Sequence, residues 1–351
     1  MKKLRILALV HDHLVPPADT TGIDVREAEW KMEYDVIETL REMGHEVRVL
    51  GLHDELGSIR PTTGLFKPHI VFNLMEAFAG VTTFDQNVVS YLELLRLPYT
   101  GCNPRGLILA RDKALSKKLL AYHRIPVPDF TVVRRGRRPQ LTKKLHFPLI
   151  VKSLFFEAST GISQASVVEN DEQLARRVQF VHESVGSAAI VEQFIDGREL
   201  YVGVLGNQRL DVFPVWEMSF DRMPENKWHI ATERVKWSTK YQKRHGIMTD
   251  KATLDAAITA QIQRIANRTY RSLDLSGYAR IDLRMDDHTG RVYVIEANPN
   301  PNLAYGEDFA ESAEVSGVSY ERLLERILAL GLRWEPERTY TRRSLQRASS
   351  T

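Results

Sequence analysis

Apolar positions recur at two periods along this chain. Residues 4–10 form a nearly unbroken apolar run that gives way to His11-Asp12-His13, which reads as a buried first strand. From about residue 26 to 43 the spacing of Val36, Ile37 and Leu40 is helical, Gly44 ends that helix, and residues 46–50 return to a strand. Residues 70–73 make a third short strand, followed by a helix through Val88, Val89, Leu92 and Leu95. Strand and helix alternating in this way predict a small parallel sheet.

The pattern then changes. A helical stretch over residues 111–122 ends before Pro126 and Pro128, which bracket a linker. Strands are predicted at residues 130–133, 149–152, 189–191, 200–205 and 208–216, with a helix after Asp171. Residues 221–246 are charged, lack a clear period and exceed ordinary connections in length, so they are either disordered or a functional lid. An amphipathic helix over about 251–273 carries Leu254, Ile258, Ile262, Ile265 and Leu273 on one stripe. There is no internal repeat and no low-complexity tract.

With 351 residues, 43% hydrophobic and 26% charged, the composition is that of a globular chain of about two to three domains. Disorder, collagen and coiled coil are excluded. No apolar stretch approaches the roughly 20 residues that cross a bilayer. The opening Met1-Lys2-Lys3 and the run after it imitate a signal peptide, but His11, Asp12 and His13 interrupt it and no small-residue cleavage site follows. The single cysteine, Cys102, cannot form an internal disulfide or a zinc-cysteine site and suits a reducing cytoplasm. Net charge is +3, and after residue 332 five arginines face two glutamates, so the excess lies in the tail. A neutral body with a short basic end argues against a nucleic-acid channel.

Chemistry concentrates near the carboxyl-terminal third. Residues 278–285 and 291–297 alternate and are joined by Asp286-Asp287-His288-Thr289-Gly290, which reads as a hairpin. Ile281, Leu283, Tyr293 and Ile295 suit a core, and the opposite face holds Arg280, Asp282, Glu296 and Asn298. If Met285 pairs with Arg291, Asp282 lies opposite Val294 and Arg280 opposite Glu296, a register that a bulge at Gly290 would break. Two carboxylates and an amide oxygen are hard ligands for magnesium, and arginine beside them can hold an anion. The same pattern also fits a solvated, salt-bridged face.

Elsewhere, Lys152 ends an apolar run where an unpaired ammonium is costly, and Glu157-Ala158-Ser159-Thr160-Gly161-Ile162 offers small residues able to wrap phosphate oxygens. The stretch 190–199 leaves a buried strand beside Glu192 and turns at Asp196-Gly197. Its backbone can meet a purine edge, with Glu199 reaching ribose hydroxyls, although a plain strand connection would look the same.

In order, these pieces resemble the ATP-grasp superfamily, specifically the D-alanine:D-alanine ligase group, over roughly residues 4 to 330. The most specific parts are Val71-Phe72-Asn73-Leu74, Pro98-Tyr99-Thr100-Gly101, Asp112-Lys113 with Ser116-Lys117, Ile125-Pro126-Val127-Pro128, and Arg280-Ile281-Asp282 with Glu296-Ala297-Asn298. The resemblance implies an α/β and α+β chain of ATP-grasp fold: an N-terminal parallel-sheet domain (1–102), a central nucleotide-binding lobe (103–205), a metal-binding and catalytic lobe (206–332) and a basic tail (333–351). It implies that Lys113 and Lys152 meet nucleotide phosphates, with Ser159 in the phosphate loop. Glu192, Gln193 and Ile195 would form the adenine hinge, Glu199 would bind ribose, and Lys236 would close over the phosphates from a mobile loop. Asp282, Glu296 and Asn298 would hold two Mg2+ ions, or Mn2+, and Arg280 would stabilise the tetrahedral intermediate. The implied reaction joins a small carboxylate donor to an amine acceptor through an acylphosphate, in a cytoplasmic enzyme that could form a homodimer. True D-alanine:D-alanine ligase and an inactive nucleotide-binding regulator are the two alternatives.

Departures from the group are equally informative. His11-Asp12-His13 stands where the ligases have a glycine-rich turn; its His-x-His spacing could bind metal but, lacking a further ligand, reads as a packing loop. Glu27 is the best match for the acid that holds the donor's ammonium. Glu76 stands near where the ligases carry a histidine. Around Asn300, the family's carboxylate-binding serine is replaced by acid at Glu307 and Asp308. Like charges repel at close range, so D-alanine is an unsuitable acceptor and a different amine, such as a cationic one, is expected. Acids at a helix start are also favoured by the helix dipole alone.

Overall fold

A computed structural model of the protein describes residues 2–156, 161–224 and 226–336. The N-terminal domain is a parallel three-stranded sheet in the order β2-β1-β3, built from β1 (Arg5–His11), β2 (Glu46–Leu52) and β3 (Ile70–Asn73). Ile6 to Val10 are fully buried, as a parallel strand covered on both faces requires. Three helices flank it: α1 (Lys31–Glu42), α2 (Ile59–Phe66) and α3 (Asp85–Leu94). Helix α1 starts five residues later than its periodicity suggests because Asp24 caps a short 3-10 turn, Val25–Glu27, by accepting from the Arg26 N–H.

The expected helix over 111–122 is the second of a pair. Asn103 caps α4 (Pro104–Arg111), and Asp112 ends it in an extended conformation while accepting from the Ala114 and Leu115 N–H groups to start α5 (Lys113–Tyr122).

Two antiparallel sheets make the remainder. The smaller, in the order β4-β7-β5-β6, comprises β4 (Phe130–Val133), β5 (Leu149–Ser153), β6 (Val167–Val168) and β7 (Ala189–Gln193), with α6 (Asp171–Phe180) packed on it. The larger, in the order β10-β9-β8-β11-β12, holds β8 (Gly197–Gly206), β9 (Leu210–Phe220), β10 (Ile247–Lys251), β11 (Tyr278–Asp286) and β12 (Val292–Pro299). Because β8 pairs with β9 and β11, residues 197–205 belong with the carboxyl-terminal lobe; the chain crosses between lobes just after β7, not at 205.

Charged residues 221–246 contain two short helices, α7 (Glu233–Trp237) and α8 (Thr239–His245). The long helix α9 (Ala256–Ser272) begins at an Asp255 cap rather than at residue 251, because Lys251 ends β10; its buried stripe includes Ile262, Ile265 and Ala266. Helices α10 (Asp308–Val315) and α11 (Tyr320–Arg333) close the chain against β9 and β3.

Side chains tie the first domain to the last. Lys31 Nζ donates to Asp35 (2.8 Å) and to the Tyr305 carbonyl (2.6 Å), and Asp35 accepts from the Tyr305 N–H (2.9 Å). No helix among the described residues is long and apolar enough to cross a membrane.

Candidate active site

The hairpin forms, but in a different register from the one expected. Met285 pairs with Val292, and a bulge between Asp282 and Leu283 skips Ile295, so Asp282 faces Glu296 and Arg280 faces Asn298. The irregularity lies inside the ladder, not at Gly290, which sits in the connecting turn and donates to the Asp286 carbonyl. The carbonyl of the skipped Ile295 accepts from Lys117 Nζ at 2.6 Å, which satisfies the group the bulge leaves out of the ladder. All four polar residues still share one neighbourhood on adjacent strands.

Arg280 grips Asp282 through both ends of its guanidinium, Nε to Oδ1 at 2.8 Å and Nη2 to Oδ2 at 3.0 Å, and lies over the Tyr201 ring. Burial raises the Asp282 carboxyl despite those bonds, and the facing Glu296 adds repulsion. Glu296 behaves oppositely. Burial opposes its ionisation too, but Lys113 (3.4 Å), Lys236 and Lys152 outweigh it and hold its carboxyl down to about 2. The Asn298 Nδ2 is buried with no partner among the described residues.

These residues fit a divalent cation. A carboxylate offers about four acceptor positions, so Asp282 can keep Arg280 and still ligate; Glu296 has ion pairing but no hydrogen bond among the described residues, and the Asn298 amide is not committed elsewhere.

Lys152, on β5, reaches Glu192 Oε2 at 3.1 Å, and Lys117 reaches Glu192 Oε1 at 3.2 Å, with the glutamate and Lys117 each 1% exposed. Burial disfavours every charge in this triad, yet the two ammonium groups keep Glu192 below the usual carboxylate range, and Glu192 with Glu296 keeps Lys152 above its ordinary value. The Glu192 side chain is therefore occupied by cations. The Gln193 side chain is taken up by backbone groups instead: it accepts from the His146 N–H and donates to the Pro148 carbonyl.

A cleft with about 600 Å³ of open space lies between the two lobes. Lys152, the 192–195 segment, Glu199, Lys236, Asp282 and Glu296 all line it. Lys236 is carried by α7, which Thr232 caps and the fully buried Val235 anchors. That segment already bridges the lobes: Glu233 N–H donates to the Ile162 carbonyl, and Gln164 exchanges two hydrogen bonds with the Trp228 backbone. The lid reading of 221–246 thus fits better than disorder. Glu199 accepts from Tyr201 Oη (2.9 Å) and from Arg284 (3.2 Å). Ser159 lies outside the described residues.

The expected substrate residues divide. Glu27 is exposed in the Val25–Glu27 turn. Asn300 accepts from the Cys102 N–H at 2.8 Å and sits so close to Gly101 that a side chain there would meet it, which gives it a structural task. Glu76 keeps solvent access, while the protein around it raises its carboxyl against the pull of Arg111. Glu307 stands at the N-cap position of α10 without a side-chain capping bond and is raised by burial and by Asp308, whose own carboxylate lies 3.8 Å from Arg280.

Three residues received no role in the sequence reading. Lys117 lies one turn beyond Lys113 on the same face of α5, a spacing that could have flagged it. Arg284 lies two residues after Asp282; it lines the cleft and also donates to the Gly197 and His229 carbonyls. Glu33, on α1, is 1% exposed, and beyond its own backbone neither oxygen finds a partner among the described residues; burial, with Glu76 adding, pushes it up to about 7. No local signal in the sequence announces that burial.

A paired-carboxylate hairpin, buried lysines and a lid over an interlobe cleft define an ATP-grasp enzyme. The family model described as D-ala D-ala ligase C-terminus matches residues 119–329. Among relatives, an uncharacterized protein, y4sG, of Sinorhizobium fredii is 32% identical over 298 residues, covering 84% of this chain and 85% of that protein. The D-alanine–D-alanine ligase of Desulfotalea psychrophila is 31% identical over 256 residues, covering 72% of this chain and 76% of the other. In fold, the Bacillus anthracis D-alanine–D-alanine ligase complexed with ATP superposes with a TM-score of 0.71 at 21% identity, over 94% of this chain and 98% of that one. The chain belongs to the D-alanine–D-alanine ligase family and is an ATP-dependent carboxylate–amine ligase.

Proposed function

We propose that the enzyme activates a small carboxylate as an acylphosphate and transfers the acyl group to an amine that carries additional positive charge. The donor's carboxylate oxygen attacks the γ-phosphorus and ADP departs; the amine then attacks the acyl carbon, loses a proton and expels phosphate. Phosphoryl transfer of this kind needs positioning and charge neutralisation rather than a protein nucleophile. Lys113, Lys152 and Lys236 supply positive charge around the cleft, and the backbone of residues 192–195 offers the edge against which adenine fits. Asp282, Glu296 and Asn298 would hold Mg2+, which when bound neutralises phosphate oxygens. Arg280 would stabilise the oxyanion of the tetrahedral intermediate. The lid carrying Lys236 keeps water from the acylphosphate. A cytoplasmic location suits an ATP-consuming enzyme whose one thiol is buried.

The observation that carries the acceptor reading is the Asp308 carboxylate, 3.8 Å from Arg280 on the side away from Asp282, with Glu307 beside it. An acceptor carboxylate would meet both acids; a cationic amine would be attracted by them. The second reading, D-alanine as donor and acceptor, is favoured by the names of the curated relatives. A ligation screen scored by phosphate release and product mass separates them. Diamines and basic amino acids should outpace D-alanine as acceptors; efficient D-alanyl-D-alanine formation would replace the proposal with the second reading. Absence of phosphate release with every donor and amine would favour a nucleotide-binding protein without turnover.

A further inference from the structure

The sequence pattern leaves His11-Asp12-His13 short of a ligand, and the fold brings a third histidine beside it. Strand β1 ends with His11 opposite Leu52 of β2, so the next residue on β2's side, His53, emerges beside the same strand end. Asp12 begins a 3-10 turn that folds His13 back toward His11. Gly51 permits this approach: a Cβ there would lie 3.0 Å from Asp12 Cα and 2.9 Å from Val15 Cγ2.

Donor atoms of His11, Asp12 and His13 consequently lie within 4.8 Å of one another, and His53 approaches them through Asp12. His11 Nδ1 lies 2.7 Å from His13 Nδ1 and 2.8 Å from Asp12 Oδ1; Asp12 Oδ1 lies 3.3 Å from His53 Nδ1 and 4.0 Å from His13 Nδ1. The His11 ring meets the rings of His13 and His53 edge-on, at centroid separations of 4.3 and 5.3 Å, so the three imidazoles are not stacked away from a common centre. Two ring nitrogens 2.7 Å apart cannot both carry protons, which leaves a lone pair facing the cluster. Ligands of a tetrahedral ion with bonds of about 2.0–2.1 Å are spaced about 3.3 Å apart, within the range that the His11, Asp12 and His13 atoms span; His53, 61% exposed, is free to turn toward them as a fourth ligand.

We propose that His11, Asp12 and His13, joined by His53 when its exposed ring turns in, form a binding site for a divalent transition-metal ion of the zinc class, at the C-terminal edge of the N-terminal sheet and separate from the hairpin acids. Imidazole nitrogens favour zinc, cobalt, nickel and copper, whereas magnesium prefers the oxygen set on β11 and β12. Asp12, His13 and His53 are 50%, 60% and 61% exposed, so the ion would exchange with solvent rather than be sealed in the fold.

The test is a Co2+ titration of the chelator-stripped, untagged full chain in excess Mg2+, followed by visible absorption. One equivalent of Co2+ should give saturable ligand-field bands that Zn2+ displaces. His13→Ala and His53→Gln should each weaken Co2+ binding at least about 10-fold, while Asp282→Asn leaves it unchanged. Both histidines are exposed, so equal thermal midpoints in the variants would mark the loss as one of ligation. Absence of a saturable band, or equal Co2+ affinity in wild type and both histidine variants, would overturn the proposal.

Discussion

Asp282 and Glu296 stand directly opposite each other on neighbouring strands, one carboxyl raised by burial and the other held down by surrounding ammonium groups. Such a pair is stable only with cations on both sides. Arg280 serves Asp282, and Lys113 serves Glu296.

Asp282→Asn keeps the side-chain volume and one acceptor for Arg280 but removes the charge that would attract a metal. Turnover should fall by about 10–100-fold or more, with the thermal midpoint little changed. Steady-state phosphate release at varied Mg2+ checks this, and near-normal activity would remove Asp282 from the metal site.

Arg280→Ala should lower kcat more than ATP affinity, by about 10²–10³-fold, if the guanidinium acts on the oxyanion. Comparing kcat with the dissociation constant for ATP decides. Loss of ATP binding alone would contradict a transition-state role.

The Lys117–Glu192–Lys152 triad is almost wholly buried. Glu192→Ala strands two ammonium groups and should destabilise the fold by about 3–5 kcal/mol, which urea unfolding would read. A cost below about 1 kcal/mol would mean that water reaches the triad.

Glu33 sets a pH dependence. Its folded value of about 7 lies above its ordinary value of 4.5, so the folded chain takes up a proton between them. Stability present below the lower value is therefore lost as pH rises toward the upper one, by about 3 kcal/mol at most. Glu33→Gln should match wild type in urea unfolding at low pH and exceed it at pH 8. Equal stability at both pH values would place Glu33 in contact with water.

Long-period features were legible before any coordinates. The stripe in α9 marked that helix, and the alternation through β11 and β12 marked the hairpin with its polar face. What escaped was set by tertiary contact. The bulge in the hairpin register accompanies a bond from Lys117, far away in sequence, to the Ile295 carbonyl. Helix α2 was missed because Pro61 and Gly64 blur its period, with Ile59 and Phe66 its buried anchors. Glu33 sits in an ordinary amphipathic helix, and only the packing around α1 strips it of water. His53 lies about 40 residues from His11, and parallel pairing alone joins them.

Electron paramagnetic resonance of Mn2+ with ATP, titrated into wild-type chain and into Glu296→Gln, addresses the core of this account most directly. ATP should draw Mn2+ into a bound, broadened signal in wild type, and Glu296→Gln should lose that signal while keeping its fold. Equal binding of Mn2+ and ATP by both proteins would mean that the facing acids of β11 and β12 do not hold the metal.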